Sequence, residues 1–334
     1  GYSILSGKFN KIDIDKKSSF GAIRCLIKKN NIIFIGSEKG LFSVDLTTKK
    51  TDLIIPNVSI LSLFAGYQDI IWVGTDMQGV LQLSPSINKF SMYSFNNNIG
   101  KSAVRTFLID SKNRLWVGTK GNGIYIYNNQ LNENTLKIEN HFEQSSGLIN
   151  NSVFNIVKGF NNEIWIGTDG QGLNYYNPSD KKISALEVPD SLKNGINLSS
   201  VYCILPDLNN ILWVGTSGYG MYKIEINKNS SPYSIKSFKH YYYKENSNTS
   251  LSNNIVYAII KGNDKCLWIA TRGGGLNRFN IENEKFDTYK VNPNDINSIT
   301  SNDVLSLYKD KKGFLWVGTS MGLNKLIKLE NNKP

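Results

Sequence analysis

Short runs of four to six residues, apolar or alternating between apolar and polar, recur along the whole chain and are separated by polar or Gly-containing turns. Val153-Phe154-Asn155-Ile156-Val157 and Val304-Leu305-Ser306-Leu307-Tyr308 are typical. Runs of this length between turn signals predict β-strands, not helices. A polar turn such as Asp310-Lys311-Lys312-Gly313 then leads into a second apolar run, as in a tight hairpin. Next come a Gly-Thr pair, a few variable residues and another Gly, and a third run follows: Gly172-Leu173-Asn174-Tyr175-Tyr176 or Gly275-Leu276-Asn277-Arg278-Phe279. A fourth has frequent aromatic residues, as in Lys89-Phe90-Ser91-Met92-Tyr93 and Lys285-Phe286-Asp287-Thr288-Tyr289. Each unit therefore predicts a four-stranded antiparallel meander.

The second run carries all six tryptophans, at 72, 116, 165, 213, 268 and 316, each in a string of the form Leu115-Trp116-Val117-Gly118-Thr119. Ile33-Phe34-Ile35-Gly36-Ser37 is a seventh, weaker copy. The seven aromatic positions are spaced by 38, 44, 49, 48, 55 and 48 residues, so units averaging 47 residues fill the 334-residue chain. Length alone suggests about two domains of roughly 150 residues; the repeat replaces that with one seven-bladed β-propeller, all-β, over 1–334. The last unit shows only a third strand near Gly322 to Lys328 after its Trp strand. A strand at about 6–14, around Phe9, is expected to complete the blade containing Trp316 and close the ring. The recurring Trp reads as a core residue wedged between neighbouring sheets. The Gly before Thr reads as a point of close backbone approach, with Ala270 in its place once.

Cys25, Cys203 and Cys266 are far apart in apolar stretches, with no paired spacing, and read as buried free thiols. No apolar run approaches 18 residues, so no membrane-spanning helix is expected within these residues. Gly1 is not followed by a basic start and apolar segment, so any secretory leader is expected to lie outside them. The net charge of +11 is scattered, which argues against nucleic acid; with 43 Asn it reads first as the imprint of an AT-rich genome and second as a weak clue to an anionic ligand.

Two stretches are similar to the two-component regulator propeller repeat. One runs from Ser146-Gly147-Leu148-Ile149-Asn150-Asn151-Ser152-Val153 to Trp165-Ile166-Gly167-Thr168-Asp169-Gly170-Gln171-Gly172-Leu173-Asn174; the other spans Asn248 to Asn280. The units lack the paired Gly-His and Trp-Asp signature of WD40 blades. The resemblance covers essentially the whole chain. It implies the periplasmic or extracellular sensor part of a membrane-bound signalling protein. Relatives carry a second propeller, a β-sandwich, a transmembrane helix and a histidine kinase or other output in the same polypeptide. It also implies an oligosaccharide ligand, and a homodimer is a further expectation.

In a propeller the loops between second and third strands gather on one face. Those loops contribute Glu38, Lys39, Met321 and the candidate ligand residues Asp76, Gln78, Lys120, Asn122, Asp169, Gln171, Tyr219 and Arg272. Polar groups with an aromatic platform suit sugar recognition. No catalytic residue, metal ligand or cofactor is assigned. The only histidines, His141 and His240, fall in fourth strands and leave little material for a metal site or a Ser-His-Asp arrangement. Asp76 and Asp169 lie two blades apart, and no spacing forces them together. The Asp310 to Trp316 hairpin resembles the aspartate box of sialidase-like propellers, a structural turn. The competing readings are a secreted polysaccharide hydrolase or lyase and a protein-interaction scaffold.

Overall fold

The computed structural model describes residues 2–3, 8–11, 20–66, 70–84, 90–93, 102–128, 137–170, 172–262 and 265–326. Seven antiparallel sheets follow one another along the chain, six of them four-stranded with strands in sequence order. This is a seven-bladed β-propeller. Helix is confined, among the described residues, to a turn at Gln144–Ser146 and the four residues Asp190–Lys193, and no helix is long and apolar enough to cross a membrane.

The chain divides into two compact units, Leu61–His240 and Gly1–Ile60 with Tyr241–Pro334. The first holds blades 2 to 5, whose Trp strands are Ile71–Thr75, Arg114–Thr119, Ile164–Thr168 and Ile211–Thr216. The second holds blades 1, 6 and 7, with corresponding strands Ile32–Ser37, Cys266–Thr271 and Leu315–Thr319. In blade 7 the third strand is Gly322–Leu326, and Lys8–Lys11 pairs antiparallel with it, Asn10 opposite Lys325 and Lys11 opposite Asn324. Ser6, Gly7, Ile12 and Asp13 of the expected N-terminal strand lie outside the described residues.

The tryptophans sit between sheets. Trp116, fully buried, joins Ile124, Ile126 and Phe142 of its own blade to Val153, Ile156, Ile166 and Tyr176 of blade 4. Trp165 does the same between blades 4 and 5, and Trp316 between blades 7 and 1. Three of the indoles also donate to an aspartate six residues earlier: Trp116 to Asp110 (2.9 Å), Trp213 to Asp207 (3.1 Å) and Trp316 to Asp310 (3.1 Å). The other oxygen of Asp110 accepts the Lys112 and Arg114 N–H groups, and that of Asp310 those of Lys312 and Phe314. The carboxylate thus fixes the hairpin and the Trp together. Blade 4 has Gly159 there and uses Glu163 instead, which accepts from the Asn161 N–H and from Lys228 (2.6 Å).

The Gly before Thr accommodates a side chain of the first strand. A Cβ on Gly118 would lie 2.5 Å from Thr106 Cγ2 and 2.9 Å from Val153 of the next blade; on Gly36 it would meet Cys25 Sγ at 2.4 Å, and on Gly318 Ser306 Oγ at 2.3 Å. Ala270 is tolerated because the residue opposite it is Ala258. Gly118→Ala should therefore cost about 1–3 kcal/mol through overpacking, read by urea denaturation. Thr106→Ala in the same chain should restore part of the loss, and no restoration would disprove the pairing.

Asparagine also has structural work. Asn174, Asn277 and Asn324 of the third strands are buried, and each accepts the N–H of Ile149, Ser252 or Thr300 while its amide donates to the same long connection (Gly147 O, Ser252 Oγ, Thr300 Oγ1). Asn30, Asn113, Asn162, Asn209 and Asn210 hold the positive φ of the first hairpin turns, a conformation Asn tolerates well.

Candidate functional site

Within blades 2 to 5 the loops after the Trp strands share one device. Each Thr hydroxyl donates to the carbonyl of the Gly that opens the third strand: Thr75 to Gly79 (2.7 Å), Thr119 to Gly123 (2.9 Å), Thr168 to Gly172 (3.3 Å) and Thr216 to Gly220 (2.9 Å). The same oxygen accepts the N–H of Gln78, Asn122 or Tyr219. A backbone fixed this way lets the intervening side chains vary without altering the turn. Two loops are clamped again by the histidines: Nε2 of His141 donates to Asn122 O (2.8 Å) and Nε2 of His240 to Tyr219 O (2.7 Å), with each imidazole stacked on Tyr125 or Tyr222. Both are fourth-strand residues that position loops.

The first strands carry a second device. Their pairing with the Trp strand slips by one residue between Val104 and Thr106, Val153 and Asn155, and Val201 and Cys203. The bulged residues are Arg105, Phe154 and Tyr202. A bulge re-aims one side chain out of the alternating pattern, so these three are displayed by the backbone. The Arg105 guanidinium lies 4.1 Å over the Phe154 ring, and Phe154 meets Tyr202 edge-on at 4.5 Å. Nη1 of Arg105 is buried without a hydrogen-bond partner. Burial lowers the Arg105 pKa, while Asp169, Tyr202 and Asp76 oppose that shift; the group remains a cation at any physiological pH.

Blade 1 shows why Arg105 is exceptional. There the bulged residue is also an arginine, Arg24, and the residue after the Ser of its loop is Glu38, which pairs with it at 2.8 Å. In blade 3 the equivalent loop position is Lys120, so Arg105 has no acid of its own blade to meet. The carboxylates whose charge acts on it are Asp169, on the loop of blade 4, and Asp76, on the loop of blade 2.

Of the residues expected from sequence, Asp76, Gln78, Lys120, Asp169 and Tyr219 are exposed and Asn122 is half-buried, all on the loops anticipated. Asp169 accepts from Ser200 Oγ at 2.7 Å. Arg272 is exposed in the other unit, and Gln171 lies outside the described residues. Asp169 and Asp76 act electrostatically on Arg105, a residue the strand pattern concealed. The available signal was that position 2 of the first strand varies as Arg24, Leu61, Arg105, Phe154, Tyr202, Tyr257 and Leu305 after a constant Val or Ile. A cavity of about 560 Å³ opens at the opposite ends of these first strands, lined by Phe64, Ile109, Asp110 and Lys158. Its carboxylate is committed to the Trp116 hairpin. Among the described residues no cluster of His, Cys, Asp and Glu is fit to hold a metal ion.

The profile of the two-component regulator propeller family matches residues 98–121, 250–273 and 298–321. Three of the seven units therefore match the two-component regulator propeller repeat. No curated protein matches this chain. Among solved structures it is similar to two B. thetaiotaomicron proteins. One is the extracellular domain of BT4673, described both as a one-component and as a hybrid two-component system (TM-score 0.74, 23% identity, 95% of this chain and 39% of that one). The other is the extracellular domain of the hybrid two-component system BT3049 (TM-score 0.74, 20% identity, 94% and 40%). The chain thus spans about two fifths of the length of these domains. It is also similar to a streptogramin B lyase (TM-score 0.68, 13% identity, 93% and 95%). At these identities the shared property is the fold.

Proposed function

We propose that this chain is a non-enzymatic, extracytoplasmic ligand-detecting propeller of a membrane-bound signalling protein of the sensor histidine kinase type, and that its ligand is an oligosaccharide. The observation that carries the reading is the separation of a constant scaffold from a variable display. Thr-anchored loops and bulged first-strand residues hold different polar and aromatic groups in each blade on one backbone geometry. Such a surface suits recognition. Both histidines are committed to loop carbonyls, which leaves neither as a free general base and favours binding over turnover. On this reading further parts of the same polypeptide, a second propeller, a β-sandwich, a membrane helix and a kinase, receive the signal.

The test is thermal unfolding of the chain against a panel of oligosaccharides, with release of reducing ends and unsaturated products assayed in parallel. Saturation at about 100 times Kd adds about 2.7 kcal/mol to stability, a shift of several degrees. A shift without turnover is expected. Cleavage of any glycan would favour the lyase or hydrolase reading and overturn this one.

A further inference from the structure

We propose that Arg105 binds the carboxylate of an acidic sugar, a uronic acid unit whose ring lies against Phe154 and Tyr202. The proposal rests on the oligosaccharide reading above and names the class of sugar. Blade 1 supplies the precedent. There the bulged arginine, Arg24, is met by the Glu38 carboxylate at 2.8 Å, and the Glu38 N–H donates to Ala22 O, two residues before that arginine (3.1 Å). Blade 3 keeps the same frame: its bulged residue is Arg105, and the Lys120 N–H donates to Ala103 O, again two residues before the arginine (2.9 Å). Where blade 1 places a carboxylate, blade 3 places an exposed lysine. The acceptor that this frame brings to an arginine is therefore not supplied by the blade.

The guanidinium is short of that acceptor. Nη1 of Arg105 is buried without a hydrogen-bond partner, and a donor withdrawn from water without one is destabilising until an acceptor arrives. Stacking 4.1 Å over Phe154 fixes the plane of the fork, and a planar fork matches the two oxygens of a carboxylate better than it matches a single hydroxyl. Arg105, Phe154 and Tyr202 are all half-buried, so each keeps a surface open to a ligand. Phe154 and Tyr202, edge to face at 4.5 Å, give an apolar wall beside the fork for the C–H face of a sugar ring. Asp169 and Asp76, whose charges also act on Arg105, are matched in number by the cations Arg105 and Lys120, and Oδ1 of Asp169 is taken up by Ser200 Oγ at 2.7 Å. A uronic acid fits this arrangement, with one carboxylate at the edge of a ring whose faces are C–H.

The test is calorimetric titration of the chain with trigalacturonate and triguluronate, with methyl-esterified trigalacturonate, and with cellotriose, xylotriose and mannotriose as neutral comparisons. One of the uronates should bind about tenfold or more tighter than the methyl ester or any neutral sugar, and its affinity should fall about threefold or more between about 50 and about 500 mM NaCl. Arg105→Met should weaken that binding by about tenfold or more. Lys120→Glu, at an exposed position, should weaken it as much with the thermal midpoint unchanged or raised, because it supplies the carboxylate as Glu38 does in blade 1. Lys120→Gln, which removes the cation without supplying the carboxylate, should weaken it less. Equal binding of trigalacturonate and its methyl ester, or preference for a neutral sugar, would overturn the acidic class and leave the oligosaccharide reading intact. Undiminished uronate binding by a folded Arg105→Met chain, or by the Lys120→Glu chain, would overturn the subsite, again with that reading intact. Failure of every sugar, acidic and neutral, would overturn both.

Discussion

Replacing Trp116 with alanine is expected to remove about 4 kcal/mol of unfolding free energy, a large part of the roughly 5–15 kcal/mol that holds an ordinary domain. The residue is fully buried, packs edge-on to Tyr176 of the next blade at 4.9 Å and donates its indole N–H to Asp110. The alanine variant therefore loses ring packing on both sides of a sheet interface and leaves a carboxylate short of a donor. Trp116→Phe keeps most of the packing and loses only the N–H, so its cost should be about 1–2 kcal/mol. Denaturant midpoints of the two variants read this directly. An alanine variant as stable as the parent would mean that the indole is not the wedge between blades 3 and 4.

The second large effect belongs to Asp310. Burial works against its charge, yet the Trp316 indole, the Phe314 N–H, the nearby Lys28 ammonium at 3.5 Å and the Lys312 N–H together hold its pKa below the ordinary carboxylate value. A carboxyl whose folded pKa is depressed contributes stability that is fully present above its unfolded pKa, about 3.9, and is lost as pH falls through the folded value. Asp110, shifted the same way, adds to this acid sensitivity: burial raises its pKa, but the Arg114 N–H, the Trp116 indole and the Arg114 guanidinium outweigh that. Asp310→Asn should cost about 2–3 kcal/mol at pH 7 and flatten the fall in stability below about pH 4. The measurement is the thermal midpoint of both chains from pH 7 down to pH 3. Parallel curves would show that Asp310 is not the titrating group.

How much of this was legible in the sequence depends on what each residue contacts. The Trp positions, the hairpin before each and the four-strand unit follow from local pattern, because hydrophobic alternation and turn residues are short-range signals. The Gly before Thr was legible as a tight spot but not in its cause. Only the pairing of Thr106 with Gly118, and of Ala258 with Ala270, shows that a facing side chain sets the limit. The abundance of Asn read as a compositional imprint, whereas Asn174, Asn277 and Asn324 tie long connections to third strands. That role is a contact across about 25 residues, which composition does not carry.

The site was half legible. The loops that present Asp76, Lys120, Asp169 and Tyr219 follow from the repeat, since variable residues between a constant Thr and Gly must lie at one end of the sheet. Arg105, Phe154 and Tyr202 were hidden by the assumption of strict alternation. A bulge is a one-residue slip in pairing with a neighbour, and the strand's own sequence reads the same with or without it. What draws these residues together is the stacking of Arg105 on an aromatic ring 49 positions later.

The most direct test of the account is a crystal structure of the chain bound to whichever oligosaccharide stabilises it most. The account predicts an intact sugar seated against the variable loops that follow the Trp strands of blades 2 to 5, which carry Asp76, Lys120, Asp169 and Tyr219. A sugar seated in the cavity beside Phe64 and Lys158, or found cleaved, would contradict it.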